Sequence, residues 1–374
     1  MTKWIIGSLL AILSALSVNL VVAWISAEPS PKEPIRNSGV PARVLEPIFS
    51  ADFAQRIELK KLNKPVTIAS VAADQHGNVY LLSWDYSAPK GMGCSIQKLA
   101  ADGTFLDTIR LTHEIWEPPV EASALAVGKD GTLYVAVEWP IRRGGLIAVD
   151  DNGNLVSKLV FRDFIPHKLA VDDHGQVWVL GEEIDPIKAA LERSYIPVNP
   201  VEGEQLRVYS PDLKHSVILV RGEKEGILPS TLKSTGDEIV YYASGTNAIR
   251  VFRQGQLVRK LTLPALTPLT PPEEVLRGGF KTLRFITGVY KIGDRFLVAG
   301  FYNYKPTARS GGVLTGISRN FIALVSQDGE AASPEFEPPD NVSLANYSDG
   351  HFIAFSGSRT RGTFLIMKLK PAIR

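Results

Sequence analysis

Nine residues of this 374-residue chain have side chains suited to recognition or proton chemistry. Trp84, Trp116, Glu138, Trp139, Arg142, Arg143, Tyr302 and Tyr304 fall in irregular, charged segments, and His167 stands in the stretch DFIPHKLAV. Tryptophan, tyrosine and arginine join a large contact area to hydrogen-bonding groups, so they anchor recognition surfaces. Each also has a structural alternative, because loops are polar in any case and aromatic rings cover seams between packed elements. Motifs for covalent or metal chemistry are missing. There is no GxSxG, HExxH, P-loop, EF-hand or GxGxxG setting. The six histidines, at 76, 113, 167, 174, 215 and 351, show no metal-ligand spacing, and no metal site is expected. Cys94 is the one cysteine, which rules out an internal disulfide, a zinc knuckle or a CxxC pair. Its surroundings, GMGCSIQ, hold no His or Lys that would lower its pKa.

Composition narrows the partners. Forty-one basic residues against 39 acidic ones give a net charge of +2. No global field draws in a polyanion, so no nucleic-acid partner is expected. No cofactor is expected either. What remains is a protein or small-molecule ligand of unknown identity.

The elements that must position these residues come from a repeat. Six segments share the order apolar run, tight turn, apolar run: ASVAADQHGNVYLLSW, SALAVGKDGTLYVAVEW, HKLAVDDHGQVWVLGE, STLKSTGDEIVYYASG, TGVYKIGDRFLVAGFY and LANYSDGHFIAFSG. Their turn residues are Gly77, Gly131, Gly175, Asp237, Asp294 and Gly350, spaced 54, 44, 62, 57 and 56 residues apart. Glycine and aspartate tolerate the positive φ of a tight hairpin turn. A second hairpin follows each of the first five, such as GLIAVDDNGNLVSKLVF and FIALVSQDGEAASPEF. Two hairpins make four strands. The sixth unit ends after TFLIMKLKPAIR with no fourth strand, and FAQRIELKKL at 53–62 resembles the fourth strands LDTIRL and LVRKLTL. An open edge exposes unpaired backbone groups, so the N-terminal strand is expected to complete the last unit. The second strands, such as VYLLSW and VWVLGE, are apolar on nearly every residue, which requires burial of both faces.

These features predict an all-β fold: a six-bladed β-propeller with four-stranded blades over 48–374, its ring closed by an N-terminal strand. The pattern LAVDDHGQVWVL, followed by a charged turn and NGNLV, resembles the NHL-type six-bladed β-propellers. That resemblance implies a fold shared by binding scaffolds, extracytoplasmic receptors, lactonases and lyases, and it leaves the function open.

Two segments precede this domain. From Trp4 to Ala27 no residue is charged, and Lys3 is the only charge before the run. A helix of that length, at ~1.5 Å per residue, spans a hydrocarbon core of ~30 Å. Residues 1–27 are therefore read as a hydrophobic helix, either a cleaved signal peptide or a signal-anchor transmembrane helix that makes the membrane a partner. Positive-inside orientation puts the rest of the chain outside the cytoplasm, periplasmic or extracellular. Residues 28–47 carry Pro29, Pro31, Pro34, Pro41 and Pro47 and read as a stiff linker.

Propeller geometry sorts the loops. The short DHG and DNG turns share one face, and the long segments 84–94, 138–145, 182–204 and 302–320 share the other. Segment 185–195 reads as a short helix, with Asp185 as cap and Pro186 at its first position. The long-loop face is the expected binding face. Catalysis of the lactonase type would need carboxylates where the innermost strands begin. Those positions, give or take one residue, read Ala69, Ser123, His167, Ser230, Thr287 and Leu344, and only His167 titrates. The residues favour a binding or scaffolding module over a propeller-type hydrolase or lyase.

Overall fold

A computed structural model of the chain describes residues 49–58, 67–84, 94–111, 121–139, 143–185, 203–223, 229–306, 317–330, 333–338, 342–348, 350–358 and 363–371. Among them the regular elements are β-strands and one short helix, α1 (Glu273–Leu276). No described helix is long and apolar enough to cross a membrane; the segment expected to do so, 1–27, lies outside the described residues, as does 28–47.

Two compact units are present. The first strand of the chain, β1 (Phe49–Glu58), belongs to the second unit. The first unit covers Val66–Thr262 and holds four antiparallel sheets of four strands each. They are β2 (Thr67–Ala73), β3 (Val79–Trp84), β4 (Cys94–Leu99) and β5 (Phe105–Arg110); β6 (Glu121–Val127), β7 (Leu133–Trp139), β8 (Arg143–Val149) and β9 (Leu155–Val160); β10 (Phe164–Val171), β11 (Val177–Glu183), β12 (Glu204–Tyr209) and β13 (Ser216–Glu223); β14 (Thr231–Ser234), β15 (Glu238–Ala243), β16 (Ala248–Arg253) and β17 (Gln256–Thr262). Within each sheet the strands lie in sequence order, which is the up-and-down meander of a propeller blade.

Burial explains the stacking. Strands β12 and β15 are buried at every residue, whereas the outermost β9 and β17 expose most of theirs. Apolar middle strands must be covered on both faces, and neighbouring sheets do so. Leu82 and Ile96 pack with Val135 and Ile147; Ala136 and Leu146 pack with Val177 and Val179; Trp178 and Leu206 pack with Ile239 and Tyr241. Each such side chain contributes roughly 1.5–3 kcal/mol when fully buried. Cys94 lies in the first of these seams, and burial pushes its thiol pKa up, so it remains a protonated apolar side chain.

The turns are closed by aspartate. Asp172 Oδ1 accepts the backbone N–H groups of His174 (2.9 Å) and Gln176 (3.0 Å), and its Oδ2 accepts the indole N–H of Trp178 (2.9 Å). Asp74 does the same for His76 (2.8 Å) and Asn78 (2.9 Å), and Asp150 for Asn152 (2.9 Å) and Asn154 (2.8 Å). These are Asx turns. Gly77, Gly131, Gly175 and Gly350 take positive φ as expected. At the other two turns the residue is Gly236 (φ 87°) and Gly293 (φ 58°), one place before Asp237 and Asp294. Glycine reaches that region without a Cβ penalty, so it displaces aspartate wherever both are offered.

The second unit combines β1 with Leu263–Arg374. One sheet contains β18 (Phe280–Ile292), β19 (Arg295–Pro306) and β20 (Ile317–Ser326). Among the described residues, the fourth strand expected from EAASPEF is reduced to a single bridge, Ile322–Phe336. Pro334 and Pro338 supply no N–H to a ladder, which is why the pairing stops there. The other sheet has the order β1-β23-β22-β21, with β21 (Ser343–Ser348), β22 (His351–Ser358) and β23 (Thr363–Pro371). Strand β1 pairs antiparallel with β23 from Phe49–Pro371 to Glu58–Thr363. The N-terminal strand thus supplies the missing fourth strand, a few residues earlier than 53–62.

Removing the Asp172 carboxylate strands a buried indole N–H and two turn amides. Asp172→Ala is expected to lower the unfolding free energy by roughly 2–4 kcal/mol in urea melts followed by tryptophan fluorescence. Asp150→Ala, at an exposed turn, should cost less. Equal losses for the two would contradict the assignment of Asp172 as a buried clamp.

Candidate functional site

The site lies in the first unit, at the end of the sheets where β10 begins and β11 ends, opposite the DHG turn. A bulge creates it. Pairing of β10 with β11 skips one residue between Pro166 and Lys168, and that residue is His167. Corresponding skips occur at Ala69, Ser123, Thr287 and Ala345, the last within one residue of the Leu344 expected. Gly181 sits opposite Pro166 at the bulge. A Cβ there would collide with the Ile165 carbonyl, so only glycine lets the two strands close up. Gly300 meets the Phe285 carbonyl at the equivalent bulge of β18.

Ionisable groups converge at this bulge. His167 Nε2 lies 3.1 Å from Glu182 Oε1, and both side chains are largely buried. Glu204, on β12, accepts hydrogen bonds from Ser230 Oγ (2.5 Å) and the Tyr241 hydroxyl (3.1 Å). Lys168 follows the bulge on β10, and Lys233 lies on β14, the first strand of the next sheet, which packs beside β10. Behind them stands a fully bonded wall. Glu183 bonds Gln205 and Arg221 (3.0 Å), Gln205 Oε1 accepts from Arg207 Nε (2.9 Å), and the Arg207 guanidinium lies 4.0 Å from the Phe164 ring centroid.

Burial and neighbouring charges set the proton affinities. Burial alone would push the His167 imidazole down; the carboxylates of Glu182 and Glu138 outweigh it and hold the ring above its ordinary value, with Lys168 opposing. Burial pushes the Glu204 carboxyl up, although Ser230 and Tyr241 donate to its charged form. Burial lowers the Lys168 ammonium while Glu204 supports it. Burial, reinforced by the charge of Lys168, brings Lys233 down to about 7. The result is a close histidine–glutamate pair whose ring is held above its ordinary value, with Lys168 following it on β10.

Of the residues expected from sequence, Glu138 and His167 are brought together by charge, and Glu182 joins them. Trp84 ends β3, Trp139 ends β7 and Arg143 opens β8, all at the same end of their sheets, with Arg143 exposed. Trp116 and Arg142 lie outside the described residues, as does 186–195 of the expected helix. Tyr302 and Tyr304 belong to the second unit and depart from expectation. Strands β19 and β20 run on to Pro306 and from Ile317, so both tyrosines are strand residues and buried, stacked at 5.8 Å. Tyr302 donates to Glu335, which also binds Arg284 Nη2 (2.7 Å).

Lys168, Lys233, Glu204 and Gly181 were not singled out from sequence, but a signal exists. Aligned on the bulge, Lys233 stands where the three other copies of the unit have Ala72, Ala126 and Ala170, and Lys168 where they have Ser70, Ala124 and Thr231. A lysine inside an otherwise small-residue inner strand marks a departure from packing needs. Among the described residues, no group of three or more His, Cys, Asp or Glu is placed to hold a metal ion.

Comparison with protein-family models finds no match, and comparison with curated proteins finds none. Solved structures do resemble the chain at low identity. A protein of unknown function from Bacteroides caccae aligns with 12% identity over 73% of this chain and 82% of its own, TM-score 0.39. A chain of a nidogen/laminin complex aligns with 12% identity over 75% and 84%, TM-score 0.45. YCF48 from Cyanidioschyzon merolae aligns with 11% identity over 85% and 99%, TM-score 0.42.

The lysine makes a signed pH prediction. Its folded value of about 7 lies below the ordinary 10.5, so between these values the unfolded chain binds more protons. In that window Lys233 makes stability rise with pH. Lys233→Met should therefore be more stable than the parent at pH ~6 and should flatten the rise between pH ~7 and ~10.5 in urea titrations. His167, held above 6.5, acts in the opposite sense, its contribution lost as pH rises through its folded value, and it is retained in both proteins. Parallel pH profiles for parent and variant would contradict the assignment.

Proposed function

We propose that the chain is an extracytoplasmic binding module, an NHL-like six-bladed β-propeller closed by β1, and that it binds its ligand at the loop-bearing end of the sheets. The hydrophobic stretch 1–27 and the proline-rich 28–47 support its placement outside the cytoplasm, tethered or released. Five sheets of four strands and one of three support the blade count. One observation carries the binding reading. In the first unit Glu138, His167, Lys168, Glu182 and Glu204 share one field at the loop-bearing end, whereas Asp74, Asp150 and Asp172 at the other end accept the amides of their own turns. Burying so many ionisable groups opposes stability, and proteins keep such arrangements where ligands are met.

A thermal-shift screen of the full chain against polar metabolites and peptides tests this. Compounds that raise the parent's melting temperature should lose their effect in the triple variant Glu138→Gln, His167→Asn, Glu182→Gln. They should keep it in Lys129→Met, at the opposite end. Hits that survive the triple variant and vanish in Lys129→Met would place binding at the turn end and overturn the reading.

A further inference from the structure

In the second unit, β19 buries two uncharged polar side chains in succession. Asn303 and Tyr304 are both fully enclosed. Among the described residues, neither Nδ2 nor Oδ1 of Asn303 has a hydrogen-bond partner, and neither does the Tyr304 hydroxyl. A carboxamide carries donors and an acceptor, and burying them unpaired costs free energy. Leucine would fill a similar space without that cost, so packing alone does not call for asparagine here.

The strand register shows what stands around the carboxamide. Asn303 is opposed by Leu283 on β18 and by Ser318 on β20, and Phe301 is opposed by Phe285 and Asn320. Opposed residues, and residues two apart on a strand, share a face. These six side chains therefore stand together on one face of the sheet, at the end away from the Gly293 turn. The two phenylalanine rings are stacked, with centroids 4.7 Å apart and planes 12° from parallel. All but Asn303 are partly exposed, and none of the six is charged. Asn320 Oδ1 already accepts from Ser343 Oγ (3.1 Å), so the open carboxamide is that of Asn303. One pair outward from the bulge, the first unit has Glu138 and Glu182 where the second has Phe301. An aromatic ring thus takes a position that carries charge elsewhere in the repeat.

We propose that this face of the second unit binds a neutral sugar ring, with the Asn303 carboxamide bonding its hydroxyls and the Phe285–Phe301 pair covering its C–H face. A carboxamide donates and accepts at once, which suits adjacent hydroxyl groups. Aromatic rings supply contact area without charge, and a few fixed polar groups then orient the ligand. The partly exposed neighbours of Asn303 give way to admit the ring. This site is separate from the charged groups of the first unit and does not depend on them.

Saturation-transfer NMR and NMR titration of the full chain test the proposal, with glucose, galactose, mannose and N-acetylglucosamine as probes and adenosine as a planar aromatic control. At least one sugar should bind the parent. Asn303→Leu should weaken that sugar about tenfold or more and at the same time raise the melting temperature, because it removes polar atoms buried without partners. Phe301→Leu, which keeps an apolar side chain and loses the ring, should weaken binding as well. Tyr304→Phe, on the other face of β19, and Glu182→Gln, in the first unit, should leave it unchanged. Binding of adenosine alone, binding of no probe, or equal binding by parent and Asn303→Leu overturns the proposal. A fall in the melting temperature of Asn303→Leu also overturns it, by showing that the carboxamide is satisfied within the fold. A sugar lost in Glu182→Gln and kept in Asn303→Leu would overturn this site while supporting the charged end of the first unit.

Discussion

Burial of both faces of the middle strands is the constraint on which everything else depends. Strands such as β12 and β15 have no face they can leave wet, so a sheet containing them is stable only between two covers. In the first unit the neighbouring sheets provide those covers, with Trp178, Tyr241 and Leu206 meeting across one seam. Polar groups are thereby excluded from the flanks and driven to the two ends of the sheets.

The two ends solve this differently. At the turn end each aspartate accepts the amides of its own hairpin, and Asp172 also accepts the Trp178 indole. At the loop-bearing end a bulge in β10 adds His167, Gly181 lets β11 close against it, and charged side chains from several strands meet. The charges are only partly balanced by one another. Proton affinities are displaced in both directions, Glu204 upward and Lys168 downward, each because burial opposes its charged form.

Much of the fold was legible in the sequence because period and turn chemistry are local. The six hairpins, the four-strand units and the N-terminal strand beside β23 follow from apolar runs, glycine turns and an unpaired last edge. Where local signals compete, the outcome depends on neighbours. Gly236 and Gly293 took the positive φ from the adjacent aspartates, and the prolines beside Phe336 stopped a ladder. Tyr302 and Tyr304 read as loop residues because YNYKPTARSGG looks irregular, yet β19 extends through them and buries both. The site was half legible. His167 stood out by type and position, and Glu138 by its loop. Lys168 and Lys233 were hidden inside strands that the repeat makes apolar.

Charge gathered on rigid inner strands, rather than any single loop residue, is therefore what distinguishes one end of the first unit from the other. Hydrogen–deuterium exchange of the full chain, with and without a ligand from the thermal-shift screen, measures this most directly. Binding at the charged end predicts slowed exchange over residues 163–170 and 229–234, with the turns at 74–77 and 172–176 unchanged. Protection confined to those turns, with none in β10 and β14, would contradict it.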